Sequence, residues 1–170
     1  PDLQEASLAE GYRVPRNTVL RSIRAKGDRT TCQYRTAHDV TLWPLELEQV
    51  KYFTSAGELA TIGVENLAGI KAGFRFRFRV VGGAAFDQLS LDDLRLAISG
   101  SDGLPMQIYE QIIGNSAGLV VRPKGGARQW QVRLGPDSIR RCGFSRDEAL
   151  LPYGRRSFEG YRLLQEYFAF

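Results

Sequence analysis

The sequence predicts a strand-rich α+β fold, with mostly antiparallel, sandwich-like β-sheets and two principal short helices. Three observations lead there. Across residues 71–81 apolar and basic side chains alternate at almost every step, the period of two of a strand with two unlike faces. A second extended stretch repeats the pattern, with Trp43, Leu45 and Leu47 set against Pro44, Glu46 and Glu48. Residues 105–113 and 157–170 instead carry apolar side chains at the three-to-four spacing of a helix.

In chain order, residues 15–17 form a turn into a strand over 18–25, and Lys26, Gly27 and Asp28 form a second turn into a strand over 30–35. In the long stretch that follows, the alternation slips phase at Gln49, after which Val50 and Tyr52 are the apolar pair. A bulge or a change of partner sheet accounts for the slip. Pro44 has no amide donor, so this strand lies at an edge or is broken there. In the strand over 71–81, Phe74, Phe76, Phe78 and Val80 are expected to face the core. Arg75, Arg77 and Arg79 face the other way, spanning about 13 Å at ~3.3 Å per residue. Three like charges in a row repel one another and call for opposing carboxylates, with Glu46, Glu48 and Asp93 as candidates. The arginine row reads first as a solvated strand face and second as an anion- or partner-binding stripe.

Gly82 and Gly83 end that strand, and Leu94, Leu96 and Ile98 mark a further short one. A loop over 99–103 leads to the helix at 105–113, where Leu104, Ile108 and Ile112 share a face with Tyr109 beside it. Gly114 and Asn115 are its stop. Residues 119–122 and 129–134 form a hairpin around a loop rich in turn formers. Ser157 is the expected cap of the last helix. There Tyr161, Leu164 and Phe168 make one apolar stripe and Leu163, Tyr167 and Phe170 a second, so the helix is expected to be buried on more than one side, in part by chain outside this fragment. Residues 1–100 read as a strand-rich β domain. Residues 101–170 read as an α+β region with helix, hairpin and C-terminal helix, the whole being a fragment of a larger subunit.

Composition narrows the function. With 170 residues and 43% hydrophobic side chains the chain can bury a sizeable core, and no run approaches the ~20 apolar residues of a membrane span. Cys32 and Cys142 are far apart and lack metal-type spacing, which reads as two buried free thiols. The net charge is +4, and the basic excess lies late: residues 122–166 hold ten basic and five acidic side chains. The aromatics near that excess are needed for packing, so a nucleic-acid face is not indicated.

His38 is the sole histidine, and the chain has no Gly-x-Ser-x-Gly elbow for a nucleophile. Adjacent carboxylates at Asp92-Asp93 and Asp147-Glu148 point opposite ways on a strand. The second pair is better placed to open a short helical turn. The glycine pairs 82–83 and 125–126 lack the Lys-Ser/Thr of a phosphate loop. No catalytic, cofactor-binding or metal-binding residue is assigned, and the chain reads as a structural or binding protein. Arg155, Arg156 and Arg162, with the aromatics near them, read equally as a solvated face or as partner contacts, the latter because arginine and aromatic side chains dominate interface energetics. A carbohydrate- or ligand-binding β-sandwich is the alternative, with Trp43 or Trp130 as a stacking platform. A hydrolase would need carboxylates such as Asp147 or Glu148 to converge on a cleft.

Three blocks of sequence carry a family resemblance. The most specific comprises Gly143-Phe144, Asp147-Glu148-Ala149-Leu150-Leu151-Pro152 and Gly160-Tyr161-Arg162-Leu163-Leu164-Gln165-Glu166-Tyr167-Phe168. Upstream stand Cys32-Gln33-Tyr34-Arg35-Thr36 with Asp39-Val40-Thr41-Leu42-Trp43-Pro44-Leu45, and Val14-Pro15-Arg16-Asn17-Thr18-Val19-Leu20. In order and content these resemble the TssF (VasA/ImpG) family, a baseplate subunit of the type VI secretion system. Asn17 departs from the glycine usual in that family, and asparagine keeps the turn because it tolerates positive φ.

The resemblance implies a wedge component of a cytoplasmic, phage-tail-like contractile injection machine, assembled at the inner-membrane face. Its implied partners are TssG-like and TssK-like subunits, a second copy of itself, and sheath, tube or spike components. It implies no cofactor, no nucleic acid and only indirect membrane contact. The interface residues favoured on this reading are Arg155, Arg156, Tyr161, Arg162, Tyr167, Phe168 and Phe170. The row Arg75, Arg77 and Arg79 is a second candidate surface.

Overall fold

The computed structural model describes residues 6–24, 27, 29–64, 69–101, 103–125, 130–151, 153–158 and 160–166. The fold is α+β, and its strands pair antiparallel two by two. The chain divides into two compact units. One is built from Pro1–Pro44, Ala84–Leu94 and Arg141–Phe170, the other from Leu45–Gly83 and Arg95–Arg140.

In the first unit β1 (Tyr12–Val14) pairs with β4 (Val40–Leu42), and β2 (Val19–Arg21) pairs with β3 (Gln33–Arg35). The turn before β2 is as expected: Asn17 sits at φ 68. Its N–H donates to the Thr36 carbonyl at 2.9 Å, and its own carbonyl accepts from Arg35 Nη1 at 3.1 Å. The Thr18 and Thr36 hydroxyls both donate to the Pro15 carbonyl, at 2.6 and 2.7 Å. The Asp39 carboxylate accepts from Arg13 and, at 2.6 Å, from the Arg16 amide. The Arg13 bond first, and the Arg16 amide next, hold the Asp39 carboxyl below the usual range. Gly11 is required where it stands. It has φ +80, and a Cβ there would lie 2.8 Å from Thr41 Cγ2 and from the Trp43 ring.

In the second unit β5 (Leu45–Phe53) pairs with β6 (Gly73–Val80). The register shifts between Leu47 and Gln49, which is the bulge expected from the phase slip. Glu46 stands opposite Arg79 and bonds it, and Glu48 adds a second carboxylate at 3.7 Å, as the repulsion argument requires. Between the strands comes a helix the sequence reading did not place, α1 (Ala56–Thr61). Its signal was present in Ser55-x-x-Glu58. The Ser55 hydroxyl accepts from the Glu58 amide at 3.3 Å, and the Glu58 carboxylate accepts from the Thr54 amide at 2.7 Å. The longest helix, α2 (Leu104–Gly114), begins after Gly103 and stops at Asn115, as expected. It is followed by β7 (Leu119–Val121), paired with β8 (Val132–Leu134).

Four expectations are corrected. The phenylalanine face of β5–β6 is not a buried core face: opposite Phe74, Phe76 and Phe78 stand Tyr52, Val50 and Leu47, each about half exposed. The most buried aromatic, Phe53 at 2% exposure, belongs to the arginine side, under Lys51 and Arg75 with its ring 4.7 and 5.2 Å from their charges. Residues 93–100 form no strand, because no neighbouring strand offers them a ladder. Both cysteines are free, as expected, but exposed. Finally, Ser157 does not cap the last helix. Its hydroxyl accepts from the Gly154 amide at 3.0 Å, closing a local turn, and α3 (Arg162–Gln165) starts beyond Gly160, a poor helix former.

Candidate interface

The specific sequence block lies in the first unit and is built around an irregular segment, residues 143–150. Such a segment presents backbone groups with no ladder to satisfy them, and buried backbone groups need partners. Here side chains supply them. Ser145 opens a single 3-10 turn over Arg146–Glu148, and Glu148 folds back as its cap. The Glu148 carboxylate accepts from the Gly143 amide at 2.8 Å and the Ser145 hydroxyl at 2.8 Å. Asp147 and Glu148 therefore serve the helical turn expected of them.

The carbonyls are taken by side chains from other parts of the sequence. Arg16 donates to those of Asp147 (3.0 Å) and Ala149 (2.6 Å), and His38 Nε2 donates to that of Glu148. Arg162 donates through Nη2 to Gly143 (3.2 Å) and Phe144 (2.6 Å). One turn further along α3, Glu166 accepts from the Leu150 amide at 3.2 Å and lies 3.5 Å from Arg162 Nη1. Ala149, 1% exposed, is enclosed by this network.

The outcome inverts the helix expected from the sequence. Among the described side chains from Tyr161 to Glu166 the buried ones are the charged pair, Arg162 at 9% and Glu166 at 6% exposure. The apolar ones face outward, with Leu164 at 74% and Tyr161 at 61%. The physical reason is that the segment under the helix offers polar backbone rather than apolar surface, and only hydrogen-bonding side chains can cover it. Arg162 accordingly lies beneath the surface and positions the segment. Arg155 and Arg156 are exposed, on the turn between Gly154 and Ser157. Close by in sequence, Leu151, Phe158 and Leu163 are also exposed, and the Phe158 and Tyr161 rings meet edge to face at 5.6 Å. Tyr167, Phe168 and Phe170 lie outside the described residues.

Arg16 and His38 were missed as positioning residues. Their partners are more than 100 residues away, so no local signal exists, although Arg16 belongs to one of the resemblance blocks. An open cleft in the same unit is lined by Arg16, Asn17, Arg146, Leu151 and Tyr153, without either tryptophan. Trp130 is half exposed, and Trp43 lies against Gly11. Among the described residues no group of His, Cys, Asp or Glu is arranged to hold a metal ion, and no helix is long and apolar enough to cross a membrane.

Comparison with known proteins places the chain in a family. The family model described as type VI secretion system, TssF, matches residues 1–170. The chain belongs to the TssF family. The type VI secretion system component TssF1 of Pseudomonas aeruginosa PAO1 is 44% identical to it over 169 residues. That match takes in 99% of this chain and 27% of TssF1, so the chain spans about a quarter of that relative's length. No solved structure gives a significant match. The residues that carry the TssF resemblance thus include those that tie residues 143–150 in place: Arg16, Glu148, Arg162 and Glu166.

Proposed function

We infer that this TssF-family chain contributes to the wedge of the type VI secretion baseplate and works by protein–protein assembly, without turnover. The observation that carries the reading is the set of exposed apolar side chains Leu151, Phe158, Tyr161 and Leu164, close in sequence to the exposed Arg155 and Arg156 and next to a segment whose carbonyls are tied by Arg16, His38 and Arg162. Exposed apolar and aromatic side chains together with arginine are the composition of a binding face. Arg162 and Glu166 tie α3 to residues 143–150, so the exposed side chains of that helix are presented preformed, which lowers the ordering cost of association.

In the wedge, the partners are TssG-like and TssK-like subunits and a second TssF copy, with sheath, tube or spike components at its margins. The assembly sits in the cytoplasm at the inner-membrane face and meets the membrane only through other subunits. The role is mechanical: the subunit holds the contractile machine primed and passes on the rearrangement that fires it.

The test is co-purification of the full-length protein with its TssG-like and TssK-like neighbours, with masses from light scattering. A complex holding two copies per TssG-like subunit is expected. It should be lost in the double variant Arg155→Glu/Arg156→Glu and in Leu164→Asp, with the melting temperature unchanged. A monomer that ignores both neighbours overturns the reading.

A further inference from the structure

The second unit carries a different surface, independent of the patch on α3. Two strands alone are a marginal sheet, and β5–β6 is a two-stranded ribbon with two edges that no described strand pairs. The edges are not equivalent. That of β5 is broken by the bulge after Leu47, and Lys124 bonds Glu48 there at 2.9 Å. A bulge and a covering contact are the usual ways in which an edge is closed to further strands. The edge of β6 is regular from Gly73 to Val80, and none of its backbone groups pairs with a described residue outside the ribbon.

The side chains on β6 specify what the edge can accept. On one face, Phe74, Phe76 and Phe78 are only partly covered by Tyr52, Val50 and Leu47. On the other, the cations are incompletely matched. Arg79 is taken up by Glu46 and Glu48, and Glu48 is shared with Lys124. Arg75 bonds only the Gln49 amide oxygen, at 3.0 Å, stands opposite Lys51, and leaves its enclosed Nε without a partner among the described residues. Arg77 stands opposite Gln49 and feels Glu48 only as a nearby charge, without a hydrogen bond or close ion pair to a described residue.

We propose that the β6 edge accepts an extended strand from a partner protein in which acidic and apolar side chains alternate. Main-chain bonds along the free edge supply the pairing. Carboxylates at every second position meet Arg75 and Arg77, and the intervening apolar side chains extend the phenylalanine face. A second copy of this chain is a poor occupant: β6 against β6 sets one arginine row beside the other, and β5 has its carboxylates engaged already.

The probe is a labelled synthetic peptide as long as β6 with alternating Glu and Val. It is titrated by fluorescence anisotropy into the intact protein, beside a Lys–Val peptide and a scrambled acidic peptide. The Glu–Val peptide is expected to bind and to slow amide exchange in residues 73–80. Arg77→Glu should weaken it by about tenfold or more and transfer preference to the Lys–Val peptide, as like charges across an interface oppose binding. Arg77→Gln, which removes the charge without reversing it, should fall between and serves if the reversal disturbs folding. Three outcomes overturn the proposal: equal binding of all three peptides, protection that falls elsewhere, and concentration-dependent self-association that protects β6 without peptide.

Discussion

In the β5–β6 ribbon the inward-facing backbone groups of the two strands satisfy one another in register, and side chains are free to differentiate two faces. In residues 143–150 the backbone forms one short turn, and others of its polar groups are met by Arg16, His38, Arg162, Glu148 and Glu166. Both regions are ordered, but by opposite allocations. The ribbon uses backbone for order and leaves an apolar face half open. The irregular segment uses charged side chains for order and leaves the apolar side chains of α3 outside. The difference teaches that exposed apolar area arises by two routes here, and that polar substitutions should harm one region while apolar truncations harm the other.

The sharpest break of that comparison is Arg162→Ala. It strands the Glu166 carboxylate and frees two carbonyls, and should cost about 3–5 kcal/mol in urea unfolding, the range for breaking a buried pair. A loss under 1 kcal/mol would mean that the segment is held by something other than these bonds. In the ribbon the equivalent loss should come only from an apolar site. Phe53→Ala is expected to cost about 3–5 kcal/mol, whereas Phe76→Ser, on the half-open face, should cost about 1 kcal/mol or less. Equal losses at both positions would show that the phenylalanine face is covered after all.

A backbone site gives a middle effect. Gly118 stands at φ +143 before β7, and a Cβ there would lie 2.5 Å from the Leu134 carbonyl oxygen. Gly118→Ala should therefore destabilise by about 1–3 kcal/mol in thermal unfolding. The smallest effect is a pH dependence. Asp39 titrates below its unfolded value because Arg13 and the Arg16 amide hold its charge. Its contribution is present above the unfolded carboxylate range and is lost as pH falls through the lowered folded value. Asp39→Asn should flatten that part of the acid unfolding curve, and an unchanged curve would show the exposed pair to be inert.

Period-two alternation, the phase slip at Gln49, the Asn17 turn and the Gly114-Asn115 stop were all legible because each is a local matter of side-chain spacing or backbone sterics. The capping box of α1 was equally local and was passed over among strand signals. The last helix misled because its apolar spacing satisfied the rule for a buried helix, whereas burial depends on what lies opposite. The candidate surface was legible in part: Arg155, Arg156 and Tyr161 are exposed, and Arg162 is not.

By itself the sequence determined the antiparallel α+β character, the bulge, the turn geometry and, through its three blocks, membership of the TssF family. Tertiary structure alone decided which charged residues are buried, that Arg16 and His38 reach residues 147–149, and that the apolar faces of α3 and of β5–β6 stay open. Spacing along the chain fixes which side chains share a face. Only the groups that meet that face in space, polar backbone in one unit and a bare ribbon in the other, decide whether it is covered.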